Sequence, residues 1–310
     1  MIISASRRTD IPAFYSDWFI NRVRTGYLFV RNPMNSSQIT KISLSPEMVD
    51  CIVFWTKNPL PIIKSLNILD KFQYYFHFTL TPYDSSIEMN LPSKIELIDT
   101  FRRLSDTIGP SRIIWRYDPV FFTYRYNLSS HLNFYETITK KLEGYTKRCM
   151  YSFLTVYRKC EKNMKGIDFS VPDKKDSLIL SESFSSIASS SGIELQTCAV
   201  EDDLSCYGIK KGKCIDDSLI SELTGKNLFI PEDRNQRKYC QCAESIDIGA
   251  YNTCTHRCVY CYANYDHELA IKNFERHNPG SDLLSGTLNG SETIREKKNK
   301  NYSAEQLKLF

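Results

Sequence analysis

Three cysteines close together late in the chain are the residues best placed to do chemistry. The segment Cys254-Thr-His-Arg-Cys258-Val-Tyr-Cys261 carries three thiols on one short loop. A loop of that size can aim three thiolates inward and wrap one face of a cubane iron–sulfur cluster, each thiolate taking one iron. One iron is then left without a protein ligand, and an open metal position is where a substrate or cofactor meets a metal. Zinc is the alternative: the same three thiolates, completed by His256, Cys240 or Cys242, would make a tetrahedral site.

The other cysteines sharpen the case. The chain holds 11, an odd number, and eight of them fall between Cys198 and Cys261. The first residues, Met1-Ile2-Ile3-Ser4-Ala5-Ser6-Arg7-Arg8, show no secretory signal, and no apolar stretch approaches the ~18 residues of a membrane span. A cytoplasmic location is therefore expected, where thiols stay reduced and a disulfide framework is excluded. Cys198, Cys214, Cys240 and Cys242 supply four thiolates, enough to complete a second [4Fe-4S] cluster or a zinc site and so to order a glycine-interrupted segment. Cys206 is the spare, and Cys51 and Cys149, beside apolar runs, read as small buried hydrophobes.

These thiols need elements to position them. With 42% hydrophobic and 25% charged residues over 310 positions, the chain reads as a folded globular protein, which excludes disorder, collagen and coiled coil. A net charge of +4 is too small to announce a nucleic-acid or membrane-surface protein. Short β-rich runs recur at 2–6, 51–56, 74–80, 112–117, 151–156, 193–199 and 245–250, and apolar residues at helical spacing lie between them at 60–72, 95–104, 132–142 and 178–187. Such alternation predicts an α/β fold, a partial (β/α) barrel of six to seven parallel strands. Residues 1–278 would form it, with 198–242 as a cysteine-rich metal-binding insertion, and 279–310 would be a flexible polar tail.

Chemistry on such a fold sits at the carboxyl ends of the strands. Polar residues collect there: Arg7, Arg8 and Asp10 after the first run, Lys57 and Asn58 after the second, Thr79 after the third, Arg116 and Asp118 at the fourth. Arg7, Arg8, Asp10, Lys57, Arg116 and Asp118 are the expected catalytic residues, and the Arg7-Arg8 pair suits a carboxylate or phosphate. The aromatic residues lie mostly in strand runs and read as core, as does His77.

The CxxxCxxC loop, with Tyr260 before its last cysteine, resembles the signature of the radical S-adenosylmethionine (SAM) superfamily, most closely spore photoproduct lyase-like proteins. The whole chain is similar to a prokaryotic family designated a domain of unknown function, DUF1848. The resemblance implies a [4Fe-4S] cluster on Cys254, Cys258 and Cys261 that binds SAM at its open iron. It implies an enzyme that uses a reducing electron donor to cleave SAM to methionine and a 5′-deoxyadenosyl radical. Tyr260 would approach the adenine. The superfamily's Gly-Gly-Glu segment is absent, so Arg7 to Asp10, or Lys57 and Asn58, would replace it, with Thr79 beside them at the cofactor. The superfamily signature follows the first barrel strand, whereas here it follows the last, which a circular permutation would reconcile. The last residues, Gln306, Leu307, Leu309 and Phe310, resemble the peptide by which bacterial proteins bind the sliding clamp, implying work at DNA. A non-catalytic iron–sulfur or zinc protein recruited to DNA by that tail is the rival reading.

Overall fold

The computed structural model describes residues 1–298, 300 and 302. Its strands are β1 (Ile2–Ala5), β2 (Tyr27–Asn32), β3 (Asn35–Ser43), β4 (Cys51–Thr56), β5 (Tyr74–Thr79), β6 (Ile113–Val120), β7 (Arg148–Phe153), β8 (Glu194–Thr197), β9 (Lys210–Lys211), β10 (Ile246–Asp247) and β11 (Thr293–Glu296). Eight of them form one sheet in the order β10-β1-β4-β5-β6-β7-β8-β9, and every pairing in it is parallel. Nine α-helices accompany the strands among the described residues. The architecture is therefore α/β, and the sheet is open, with β10 and β9 at opposite edges.

Why these runs form a parallel sheet is visible in their composition. Cys51–Thr56 (CIVFWT) and Tyr74–Thr79 (YYFHFT) are buried on both faces, as strands covered by crossover helices must be. The helices carry their own start signals. Ser93 and Glu96 make a reciprocal capping box for Lys94–Ile108, and Asn127 and Asp173 cap Leu128–Leu142 and Lys174–Ser190. Leu97, Phe101 and Leu104 turn inward from the first of these, and Tyr135 stacks on Phe184 between the other two at 4.0 Å.

Several expectations are corrected. The fifth run lies at Arg148–Phe153, three residues earlier than its apolar stretch suggests, because Thr155 and Val156 are already exposed beyond the strand end. The antiparallel pair β2 and β3 went unread, since its residues are mostly half-exposed and their alternation is weak. The segment expected as a tail from 279 instead returns to the body. β11 pairs in parallel with β3, Leu283 and Leu284 are buried, and the Trp18 indole N–H donates to the Ser281 carbonyl at 2.8 Å. The candidate clamp-binding residues Gln306, Leu307, Leu309 and Phe310 lie outside the described residues. The 198–242 segment is not wholly irregular, for it contains β9 and the helix Asp217–Thr224. Leu219 and Ile220 of that helix share a small core with Cys198, Cys214 and Cys242. No helix among the described residues is long and apolar enough to cross a membrane.

Candidate functional site

The carboxyl ends of the parallel strands surround a cavity of about 340 Å³. All seven candidate metal ligands line it: Cys254, Cys258 and Cys261 from the loop after β10, and Cys198, Cys214, Cys240 and Cys242 from the segment after β8. Arg7, Arg8, Asp10, Lys57, Thr79, Arg116, Asp118 and Tyr260 line it too. Asn58 does not. Its carboxamide oxygen accepts the Leu60 N–H at 3.2 Å, just before the short helix Leu60–Ile63, whose N-cap is Pro59. Cys206 is exposed, and Cys51, Cys149 and Cys160 are buried and do not line the cavity, although the Cys160 thiol donates to the Tyr260 carbonyl at 3.3 Å behind the loop.

The three-cysteine loop is held by its backbone and by polar groups from several strand ends. Asp247 of β10 accepts from the Ser4 and Ser6 hydroxyls at 2.8 and 2.7 Å and from the Arg7 N–H at 2.8 Å, which locks β10 to β1 where both enter the site. A Cβ at Gly249 would lie 2.0 Å from the Ser6 Oγ, so only glycine lets the chain leave β10 here. The loop closes where the Asn252 N–H donates to the Ala263 carbonyl at 3.0 Å. Asp10 caps the helix Ile11–Phe14 through Oδ1, while its Oδ2 accepts from His256 Nε2 and from the Lys57 N–H, both at 2.7 Å. One carboxylate thus ties the ends of β1 and β4 to the cysteine loop. His256 is a brace of the loop in this arrangement, its ring 4.5 Å from Phe14.

Glu88 does the same from the other side. Its segment runs antiparallel to the loop, with the Val259 N–H on the Ile87 carbonyl and the Asn90 N–H on the His256 carbonyl, both at 3.0 Å. The Glu88 carboxylate, 2% exposed, accepts from Lys57 Nζ, Lys94 Nζ and the Thr81 hydroxyl, each at 2.7 Å, and from the Tyr260 hydroxyl. Burial alone would raise its pKa, but Lys57 and Lys94 outweigh that and hold it down to about 2. The Tyr260 ring packs on Tyr83 and Phe121, with the Lys57 ammonium 5.5 Å from its centroid.

The four-cysteine group is organised through sulfur. Cys198 Sγ and Cys214 Sγ are 3.3 Å apart, and the Cys214 N–H donates to Cys242 Sγ at 3.2 Å. Arg116 Nη1 donates to Cys214 Sγ at 2.9 Å while its Nη2 pairs with Asp118, which also accepts from Ser152. Arg237 Nη2 donates to Cys198 Sγ at 3.3 Å. His77 is a core residue, as the sequence suggests: it stacks on Trp55 and its Nε2 donates to the Cys214 carbonyl at 2.7 Å, while its Nδ1 has no hydrogen-bond partner among the described residues. Burial and then Arg116 push its pKa down to about 3, so it is neutral.

Burial also pushes the thiols of the loop upward, Cys258 to about 12 and Cys254 further. Protein groups alone therefore do not stabilise three thiolates here, whereas a bound cation that takes the place of the protons would. Among the described residues no three His, Cys, Asp or Glu side chains gather about one point as a single metal ion requires. Cys254, Cys258 and Cys261, three thiols on one loop that lines the cavity, are the residues that could hold a polynuclear cluster, each thiolate taking its own iron.

Sequence reasoning missed four groups that the structure brings to the site. Glu88 sits in a loop with no periodic signal, and Arg237 lies in the irregular segment. Ser152 is inside a strand run. Asp247 had a signal, a carboxylate set in the otherwise apolar β10 run Ile246 to Ala250, because a buried charge in a strand needs partners.

No curated protein and no solved structure is detectably similar to the chain. Residues 2–263 match the family described as Domain of unknown function (DUF1848), a span that takes in every strand of the large sheet and all the cysteines of the cavity. The chain belongs to that family.

Proposed function

We propose that the protein is a radical SAM enzyme that holds a [4Fe-4S] cluster on Cys254, Cys258 and Cys261. The observation that carries this reading is the shared cavity: three thiols on one loop open into the same space as Arg7, Arg8, Lys57 and Arg116 at the carboxyl ends of parallel strands. The chemistry such a cluster supplies when bound and reduced is one electron to the sulfonium of SAM, giving methionine and a 5′-deoxyadenosyl radical.

Support for the permuted partial barrel comes from strand order. Read across the sheet from its edge, β10 comes first, then β1, β4, β5, β6, β7 and β8 in chain order. The strand that feeds the cysteine loop thus takes the spatial place of a first strand although it comes late in the chain.

The chain's own residues then have distinct tasks. Asp10 and Glu88 hold the loop from both sides, and Lys57 is spent on Glu88, which makes it a positioning residue. Among the described residues Arg7 and Arg8 pair with carboxylates no closer than 4.0 and 3.9 Å, Arg7 also donating to the Ser245 Oγ at 3.2 Å, and they bind the carboxylate of SAM or an anionic group of the substrate. Trp55, Phe153 and Leu154 give the cavity an apolar wall that excludes water around the reacting carbon.

The test is electron paramagnetic resonance of the anaerobically reconstituted, dithionite-reduced protein. Addition of SAM is expected to shift the signal, because a ligand at the open iron changes its surroundings. A signal indifferent to SAM overturns the reading.

A further inference from the structure

We propose that Cys198 and Cys214 are a redox-active pair that closes into a reversible disulfide by exchange with a small disulfide entering the cavity. Both residues line that cavity, and their sulfurs are 3.3 Å apart. An S–S bond is about 2.05 Å long, so side-chain shifts of about 1.3 Å in all join the pair, whereas cysteines that each hold their own iron stand apart. The chain is built to make this contact. Cys198 follows β8, and its N–H donates to the Tyr151 carbonyl at 3.0 Å. Cys214 lies just beyond β9, where the Gly212 N–H donates to the Thr197 carbonyl at 2.8 Å. A Cβ at Gly212 would lie 2.8 Å from Gln196 Oε1 and Met150 Cε, so glycine lets the two segments close up. The Cys214 carbonyl is fixed in turn by the Tyr75 hydroxyl and by His77 Nε2, both at 2.7 Å.

A guanidinium stands beside each sulfur: Arg116 Nη1 donates to Cys214 Sγ at 2.9 Å and Arg237 Nη2 to Cys198 Sγ at 3.3 Å. Such a cation favours the thiolate, the nucleophile of thiol–disulfide exchange. Cys214, with the closer guanidinium, attacks one sulfur of the incoming disulfide; that S–S bond breaks, a mixed disulfide forms and a first thiol leaves. Cys198 then attacks Cys214 Sγ, the protein disulfide forms and a second thiol leaves. Two electrons pass from the cysteines to the incoming disulfide, and the two cysteine protons end on the released thiols. The bridge takes from Arg116 and Arg237 the sulfur charge they face, so the state of the pair alters one wall of the cavity. The pair is independent of the cluster proposed on the three-cysteine loop.

The test uses the full chain, isolated anaerobically, and hydroxyethyl disulfide, an uncharged probe small enough for a cavity of about 340 Å³. After exposure the protein is denatured with an alkylating agent present, and non-reducing peptide mapping with fragment spectra locates any bridge. A Cys198–Cys214 bridge that forms with the probe and disappears with dithiothreitol is expected. Alkylation of both thiols, or a bridge from either one to Cys206, Cys240 or Cys242 in its place, overturns the proposal. In Cys198→Ser the reaction is expected to stop with one half of the probe held on Cys214, an adduct that the unsubstituted chain does not keep. A Cys214 left unmodified in that variant, with its fold verified by circular dichroism, overturns the proposal equally; should the variant not fold, the bridge in the unsubstituted chain decides.

Discussion

The two cysteine groups face one cavity but are held in opposite ways. The loop group is fixed by protein alone: its backbone pairs with residues 87–90, and its flanks are tied down by Asp10, Glu88, Asp247 and Asn252. None of those bonds needs a sulfur. In the four-cysteine group the sulfurs themselves carry the order, touching one another and two guanidiniums within a small second core. A site built to bind something at an open metal position must be pre-organised without it, whereas a closed site can draw its order from the metal.

The largest effect expected from that contrast is on stability. If the four-cysteine group binds a metal, Cys198→Ser with Cys214→Ser should lower the unfolding free energy of the metal-loaded protein by several kcal/mol, because metal binding would then be folding energy. Cys254→Ala with Cys261→Ala should cost about 1 kcal/mol, the range of an ordinary substitution. Urea unfolding under anaerobic conditions measures both, and equal losses would erase the distinction.

Next is the anchor of the loop. Glu88→Ala leaves Lys57 and Lys94 facing a buried gap and should cost about 3–5 kcal/mol, as breaking a buried pair by removing one partner does. Amide hydrogen exchange should then rise selectively at 256–260. Loss of protection at 198–242 instead would mean that the two groups are not held independently.

The aromatic floor beneath Tyr260 titrates. His131, fully buried, takes a hydrogen bond from the Tyr117 hydroxyl on Nδ1 and gives one from Nε2 to the Phe121 carbonyl, and burial pushes its pKa down to about 4. The unfolded chain binds this proton at about pH 6.5, so stability is full above that value. It falls by about 1.4 kcal/mol per pH unit between 6.5 and 4, then levels, a total of about 3 kcal/mol. In His131→Asn that part of the acid slope should vanish; an unchanged slope would place the titration elsewhere. Gly249→Ala should cost about 1–3 kcal/mol by overpacking against Ser6 and loosen the entry to the loop, which urea unfolding measures.

The sequence made the cysteines and most strand ends legible, because thiol spacing and apolar runs are local signals. Arg7, Asp10 and Lys57 reach the cavity since each follows a strand of the parallel sheet, and Arg116 and Asp118 reach it from within β6. Asn58 misled because one residue further along the chain the backbone has turned away into a helix. Glu88 and Arg237 were invisible because their value lies in partners 31 and 39 residues away, Lys57 and Cys198, which no local pattern reports. The small sheet was missed for a similar reason: β11 closes against β3 across the whole length of the fold.

The most direct test of the central claim is product formation. Anaerobically reconstituted protein, reduced with dithionite and given SAM, is predicted to yield 5′-deoxyadenosine by chromatography, with Cys254→Ala yielding none above background. A reducible cluster that leaves SAM intact, or equal product from the variant, would contradict it.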